Sequence, residues 1–212
     1  MKFECGPKWD TRIINIKPKG KIGILMSGGI DSWVLYNLLK LTPNCPPISI
    51  FIIMASGDSG EGFDTPARIS LLTDRDDIIE IDKFIEYTEN DSPNFKPWNE
   101  IIKMSIFYIL EKYGLDELYN GTNMNPPIEY FPEFDTKYKS NRRWKIPNLL
   151  PWSKLKCPLL HLYKYHIIDL ANRHNINIKN THSCNVDPHG DCGKCWWCLE
   201  KQWGYNQLEG EV

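Results

Sequence analysis

The feature that most constrains the fold of this 212-residue chain is a glycine turn between an apolar run and a helical pattern. Residues 22–26 are apolar, as in a short buried strand, and residues 31–41 carry apolar side chains at helical spacing. The sequence Ser27-Gly28-Gly29-Ile30-Asp31-Ser32 lies between them. Glycines let a backbone approach an anion closely, and the N–H groups and dipole of a helix start favour phosphate. The turn therefore predicts a phosphate-binding loop.

The same alternation of strand and helix continues along the chain. Strands are predicted at 48–54, 77–81 and 117–120, with helices at 65–72 and 98–113. Strands that are apolar on both faces and separated by helices are typical of a parallel sheet covered on both sides. We therefore predict one domain over residues 1–212, an α/β fold with a doubly wound, mostly parallel, Rossmann-like sheet. A long proline-rich and aromatic loop is predicted at 123–158, followed by helices at 159–174 and 196–203.

Net charge and the distribution of apolar residues bear on whether the protein binds nucleic acid or a membrane. The formal net charge of -2 does not favour general nucleic-acid binding, and the short basic segment 137–145 is interpreted as a solvated loop. A basic patch that binds RNA or DNA is not excluded. No stretch approaches the roughly 20 apolar residues that cross a bilayer, and residues 1–10 lack the apolar core of a signal peptide. We expect a cytoplasmic protein without a membrane segment.

Four of the seven cysteines lie close together near the end of the chain: Cys184, Cys192, Cys195 and Cys198. Two consecutive C-x-x-C steps can surround Zn²⁺ with four thiolates, and such a closed site is structural rather than catalytic. An iron–sulfur cluster is the competing interpretation, because it also takes four thiolates. We predict a zinc-binding segment over 181–203, with His182 and His189 outside the ligand set. The other cysteines are expected to be ordinary thiols, namely Cys5, Cys45 and Cys157.

Asp31 has the wrong charge to attract phosphate. It is expected either to cap the helix or to hold Mg²⁺ that bridges the phosphates. Ser27 and Ser32 add hydroxyl donors. The loop lacks the Gly-Lys-Ser/Thr of a Walker loop and the third glycine of the dinucleotide fingerprint.

The Ser-Gly-Gly-x-Asp-Ser motif resembles the PP-loop of ATP pyrophosphatases, which cleave ATP to AMP and pyrophosphate. The tail from Thr181 through Cys198 resembles the end of the 7-cyano-7-deazaguanine synthase family, known as QueC. Residues 157–164, which end in Lys164, and Gly121-Thr122-Asn123 resemble two further motifs of that family. The resemblance implies an adenine nucleotide alpha hydrolase-like fold that uses ATP, Mg²⁺, ammonia and a structural zinc ion, in a homodimer.

The resemblance also implies the reaction. Family members convert 7-carboxy-7-deazaguanine and ammonia to the nitrile through an adenylated carboxylate and an amide, so the chain is expected to be an ATP-dependent C–N ligase. Asp31 and Ser32 are predicted to be catalytic and the four clustered cysteines to bind metal. The residues predicted to bind the nucleotide are Met26, Ser27, Gly28, Gly29, Asp31, Ser32, Gly121 and Asn123.

Three segments depart from the family pattern. Residues 97–100 replace the usual Arg-Asn pair, residues 124–127 lack the usual aspartate, and residues 55–60 lack the usual tyrosine-glycine pattern. These departures keep other functions open. One is a relative that stops at the amide or adenylates another carboxylate or a base in RNA. The other is a non-catalytic nucleotide-binding module, which the intact phosphate loop argues against.

Overall fold

The computed structural model describes residues 1–55, 81–87, 98–131, 152–184, 186–187 and 190–210. These ranges contain the strands β1 Lys2–Cys5, β2 Arg12–Asn15, β3 Ile22–Leu25, β4 Ile48–Ala55, β5 Ile81–Tyr87, β6 Glu117–Tyr119 and β7 Leu155–Lys156. They also contain the helices α1 Ile30–Leu41, α2 Trp98–Lys112, α3 Lys164–Arg173 and α4 Trp196–Glu209. Two short 3₁₀ helices lie at Ile128–Tyr130 and Trp152–Lys154.

Five of the described strands form one parallel sheet in the order β5-β4-β3-β6-β7. The chain moves outward from β3 through β4 to β5, and then returns to the other side of β3 with β6 and β7. The strand order therefore reverses between β3 and β6. In open α/β sheets, ligands bind outside the carboxyl ends of the strands at such a reversal.

The sheet carries apolar side chains on both faces. Ile50 and Ile52 belong to the main core with α1 and α3, whereas Phe51 between them packs with α2 in a second cluster. Gly23 makes room for this arrangement, because a Cβ there would lie 2.6 Å from the Phe51 ring. Helices thus cover both faces, and the predicted doubly wound parallel fold is confirmed.

An antiparallel hairpin, β1 with β2, extends the main core beyond the sheet. It buries Phe3 and Cys5, and the Gly6 amide donates to the Asp169 carboxylate of α3 at 2.7 Å. Each of its strands is only four residues long, so the sequence pattern is too short to predict it.

Four predicted elements differ in their bounds or content, and the first is the helix predicted at 196–203, which continues to Glu209. The helix predicted at 159–174 begins only at Lys164, because residues 159–161 form a turn first. The strand predicted at 77–81 is found at Ile81–Tyr87, and residues 77–80 lie outside the described ranges. The predicted loop 123–158 contains β7 and both 3₁₀ helices. The helix predicted at 65–72 and the basic segment 137–145 fall outside the described residues.

In the part of the chain that the structure describes, no helix has both the length and the apolar character needed to cross a bilayer.

Candidate functional site: a phosphate loop beside a four-cysteine cluster

The predicted phosphate loop, residues 27–32, lies at the carboxyl end of β3. The Met26 amide still donates to the Phe51 carbonyl of β4 at 2.9 Å, so the sheet runs up to the loop. Gly28 then adopts φ +76°, a left-handed conformation that favours glycine, and Gly29 is the N-cap of α1. The first N–H groups of α1 therefore face the carboxyl ends of the strands, as an anion site requires.

The two loop serines are engaged within the loop. The Ser32 hydroxyl lies 3.2 Å from the Gly29 carbonyl, to which it donates, and 3.2 Å from the Ser27 hydroxyl. The Ser27 hydroxyl in turn accepts from the Gly29 amide at 3.3 Å. Ser32 is buried. In this arrangement the serine hydroxyls hold the shape of the turn.

Asp31 does not cap α1. The N-cap of α1 is Gly29, no side chain caps the helix start, and Asp31 lies inside the first turn. Both of its carboxylate oxygens accept hydrogen bonds from Lys164 Nζ at 2.6 Å. The capping interpretation of Asp31 is therefore wrong, since an ion pair with the first residue of α3 takes its place.

Lys164 lies at the centre of a buried polar network. Its ammonium is also 3.4 Å from Glu200 Oε2 of α4, and Asn123 Nδ2 donates to Glu200 Oε1 at 2.8 Å. The side chains of Lys164 and Glu200 are 2% and 3% exposed. Burial alone would lower the pKa of Lys164, but the charges of Asp31 and Glu200 raise it, so the ammonium stays charged. Burial raises the pKa of Glu200.

Gly121 brings β6 directly against the phosphate loop. A Cβ at this position would lie 2.8 Å from the Ser32 amide nitrogen and 2.9 Å from the Asp31 carbonyl carbon. Only glycine fits so close an approach of two backbones. The structure therefore brings the predicted residues of the β3 and β6 ends together, with Asn123 joined to Asp31 through Glu200 and Lys164.

The four cysteine sulfurs form one compact cluster. All lie within 4.8 Å of one another, with Cys192 and Cys198 Sγ 3.9 Å apart and Cys184 and Cys195 Sγ 3.9 Å apart. Four sulfurs each about 2.3 Å from one tetrahedral ion stand about 3.8 Å apart. The cluster therefore fits a single ion. In an iron–sulfur cubane each thiolate binds a different iron, which needs a wider spacing.

Backbone N–H groups point at two of the sulfurs. The amides of Val186 and Asp187 donate to Cys184 Sγ at 3.3 and 3.2 Å, and the Cys195 amide donates to Cys192 Sγ at 3.3 Å. Burial opposes ionisation of Cys184, yet the amides of Asp187 and Val186 lower its pKa to about 6. Burial and the neighbouring thiols raise the pKa of Cys198. A bound cation favours the ionised form of all four thiols, because it offsets their mutual repulsion.

Among the described residues, the cluster does not include His182 or the other three cysteines, Cys5, Cys45 and Cys157. Burial raises the pKa of Cys5 and of Cys157 to about 12, so both are protonated thiols. The His182 amide donates to the Gly28 carbonyl at 3.0 Å, which joins the segment that carries the cysteine cluster to the phosphate loop. His189 lies outside the described residues.

The family described as "Queuosine biosynthesis protein QueC" matches residues 68–209, well over half of the chain. The chain belongs to the QueC family. The match includes Gly121, Asn123, Lys164 and all four clustered cysteines, and the phosphate loop precedes it. The resemblance inferred from the sequence is thereby confirmed.

Similar solved structures include the U34-tRNA thiolase NcsA from Methanococcus maripaludis with its [4Fe-4S] cluster. It is 15% identical, has a TM-score of 0.47, and the alignment covers 92% of this chain and 68% of that one. An NMN synthetase from Francisella tularensis is 14% identical, with a TM-score of 0.43 and coverage of 91% and 78%. A comparison with curated proteins finds no match.

Sequence reasoning missed two residues of this QueC-family site. Lys164 was visible as the end of a motif shared with the family, and a lysine at a helix start among apolar neighbours is unusual enough to signal a role. Glu200 carries no comparable signal, because its importance arises only when α4 packs against α3.

Proposed function

We propose that this protein is an ATP-dependent enzyme that joins ammonia to an activated carboxylate, converting 7-carboxy-7-deazaguanine to 7-cyano-7-deazaguanine. The observation that carries the proposal is the grouping of an intact phosphate loop, Gly121 and the Lys164 ammonium at the reversal of strand order, in a chain of the QueC family. A carboxylate is a poor acyl donor until one oxygen becomes part of a good leaving group.

The proposed chemistry has two halves. In the first, the substrate carboxylate attacks the α-phosphorus of ATP and the bond to pyrophosphate breaks. Ammonia then forms a bond to the acyl carbon as the bond to AMP breaks, and a lost proton leaves the amide. In the second half the amide oxygen attacks the α-phosphorus of a second ATP and pyrophosphate leaves. Loss of AMP and of both N–H protons then gives the nitrile.

The chain's own residues position the nucleotide and balance its charge. The N–H groups at the start of α1 and the Gly28 turn bind phosphate oxygens, and the Lys164 ammonium offsets the charge that builds up on departing pyrophosphate. Ser27 and Ser32 keep the turn in shape. Mg²⁺ held through Asp31 would supply further positive charge between phosphate oxygens.

We propose zinc as the ion of the four-cysteine cluster. Sulfur spacing near that of a single tetrahedral site supports zinc over an iron–sulfur cluster, and four protein ligands leave no open position for catalysis. Elemental analysis together with an absorption spectrum distinguishes the two, since an iron–sulfur protein is coloured. The proposal also includes a homodimer and a cytoplasmic location. Light scattering tests whether the protein is a dimer.

A second candidate keeps the same ATP chemistry but changes the acceptor. Met124 lies near the position at which family members usually carry an aspartate. Its apolar side chain is buried with Phe131 and Trp196, and its amide donates to the Leu162 carbonyl at 2.8 Å. The absence of that acid supports a different carboxylate or base as substrate, or arrest at the amide.

The test is a mass-spectrometric assay of the purified protein with ATP, Mg²⁺, ammonium and 7-carboxy-7-deazaguanine. Nitrile formed together with AMP and pyrophosphate supports the main proposal. Amide as the end product assigns the chain to the first half of the chemistry. ATP binding without turnover supports the second candidate, and no ATP binding overturns both.

A further inference from the structure

The Lys164 ammonium is shared by two carboxylates that differ in their access to solvent. Asp31 holds it with two 2.6 Å contacts and is 24% exposed, whereas Glu200 lies 3.4 Å away and is 3% exposed. A ligand that arrives from solvent can therefore meet Asp31, while Glu200 stays behind the ammonium.

Glu200 is itself held from the other side. Asn123 Nδ2 donates to its free oxygen at 2.8 Å. The stem of Lys164 packs closely against α4 at Gly204, where an added Cβ would lie 2.9 Å from Lys164 Cγ. A buried carboxylate is costly unless its charge and lone pairs are matched, and an apolar replacement for such an ion pair often costs little stability. Stability alone therefore does not account for this carboxylate.

A second contact links the zinc-binding segment, residues 181–203, to the phosphate loop. The His182 amide donates to the Gly28 carbonyl at 3.0 Å, and Ser183 Oγ lies 3.4 Å from the position of a Cβ on Gly29. His182 comes two residues before Cys184, and Glu200 comes two residues after Cys198. Cys184 and Cys198, the first and last cysteines of the cluster, therefore each lie two residues from a residue that contacts the proposed ATP site.

We propose that Glu200 is a positioning residue that holds the Lys164 ammonium at the phosphate loop, so that the four-cysteine cluster supports nucleotide binding through α4. The inference rests on the proposed function, because it assigns ATP to the phosphate loop. When Asp31 turns toward a cation bound with the nucleotide, Glu200 and Asn123 keep the ammonium in place for the phosphates. The cysteine cluster then contributes to ATP binding indirectly, through α4, although its sulfurs do not contact the nucleotide.

The test compares Glu200→Gln with Glu209→Gln, the same change at an exposed position of the same helix. Calorimetric titration with Mg-ATP measures affinity, elemental analysis measures bound metal, and hydrogen exchange reports on the phosphate loop without any ligand. We expect Glu200→Gln to keep its metal, to bind Mg-ATP about tenfold more weakly, and to exchange faster at residues 26–34, because the ammonium loses its fixed partner. Glu209→Gln should match the unmodified protein in all three.

Asn123→Ala provides a second variant in case Glu200→Gln does not fold. It should weaken Mg-ATP binding in the same direction by about threefold, since the carboxylate remains but loses one hydrogen bond. Chelation of the metal from the unmodified protein should also speed exchange at residues 26–34. Unchanged affinity and unchanged exchange in Glu200→Gln would overturn the inference. If the unmodified protein binds no ATP, the proposed function fails, and the exchange data still decide whether the cluster supports the loop.

Discussion

The phosphate loop lies between two elements of the main core, whereas the stretch between Cys184 and Cys195 has little apolar surface to bury. Ile24 before the loop and Leu35 after it are fully buried. Val186 is 66% exposed, and Cys192 and Cys195 are only half-buried. The loop therefore takes its shape from packing and backbone geometry, whereas we expect the cysteine stretch to depend on a bound ion. One site should survive the loss of its ligand, and the other should not.

The largest expected effect is a loss of activity when the negative charge of Asp31 in the phosphate loop is removed. Asp31→Ala should lower pyrophosphate release by more than about a hundredfold, because the proposed Mg²⁺ ligand and the partner of Lys164 are both lost. Activity is measured by pyrophosphate release, with thermal unfolding and metal content on the same sample.

Asp31→Asn is the matched control, because asparagine keeps the shape of the side chain and removes only its charge. The activity of this variant should fall nearly as much as that of Asp31→Ala. Its fold and bound metal should remain, since Lys164 keeps its ion pair with Glu200. Activity equal to that of the unmodified protein in either variant would refute the role of Asp31.

The next effect concerns the cysteine stretch. Cys195→Ala should lower bound metal from about one equivalent to less than about 0.1 and sharply reduce soluble folded protein, because metal binding and folding are coupled there. Cys45→Ala is the control, since Cys45 lies outside the cluster and should leave metal content unchanged. A Cys195→Ala protein that is soluble and as stable as the unmodified one would contradict the structural role of the ion.

A smaller effect is expected from His166 of α3, whose hydrogen bonds hold the start of that helix in place. His166 is fully buried, its Nδ1 accepts the Tyr163 amide at 3.1 Å, and its Nε2 lies 2.9 Å from the Asp10 carbonyl. Nε2–H therefore donates, and the ring is neutral. Burial, helped by the charge of Arg12 and opposed by Asp10 and Asp169, lowers the pKa of His166 to about 4.

This pKa has a defined consequence for stability. In the unfolded chain a histidine titrates near its ordinary value of about 6.5, so between pH 6.5 and 4 the unfolded state binds one more proton than the folded state. The stabilising contribution is full above about pH 6.5 and is lost as the pH falls toward 4, by at most about 3 kcal/mol. Urea unfolding across this range should show that loss in the unmodified protein.

His166→Asn separates this effect from acid release of the metal, which both proteins share. The variant should lack the part of the pH slope that belongs to one proton. Parallel slopes in the two proteins would mean that His166 is not held neutral.

The smallest effect tests the approach of β6 to the loop. Gly121→Ala would place a Cβ 2.8 Å from the Ser32 amide nitrogen, so the backbones must separate, at a cost of about 1 to 3 kcal/mol in unfolding free energy. Mg-ATP affinity should fall with it. Gly210→Ala is the control, because its Cβ would lie 3.7 Å from the nearest atom. Equal unfolding free energies for the two variants would show that the close approach is not required.

Sequence patterns predicted much of the fold. The phosphate loop, α1, α2, β3, β4 and the cysteine cluster were predictable because each is a local pattern of adequate length. The hairpin β1–β2 and strand β7 were not, since four-residue and two-residue strands leave no periodic signal. The start of α3 was predicted five residues too early, because an apolar run does not mark the turn before Lys164.

For the candidate site, the sequence by itself determined the parts that are contiguous. The spacing of Ser27 to Ser32 predicts a phosphate site and that of Cys184 to Cys198 a metal site, because a turn or a metal knuckle closes within a few residues. Only the tertiary structure decided that Asp31 pairs with Lys164 and that Glu200 stands behind both. Those contacts join residues more than thirty positions apart, on helices whose relative placement depends on how the whole core packs.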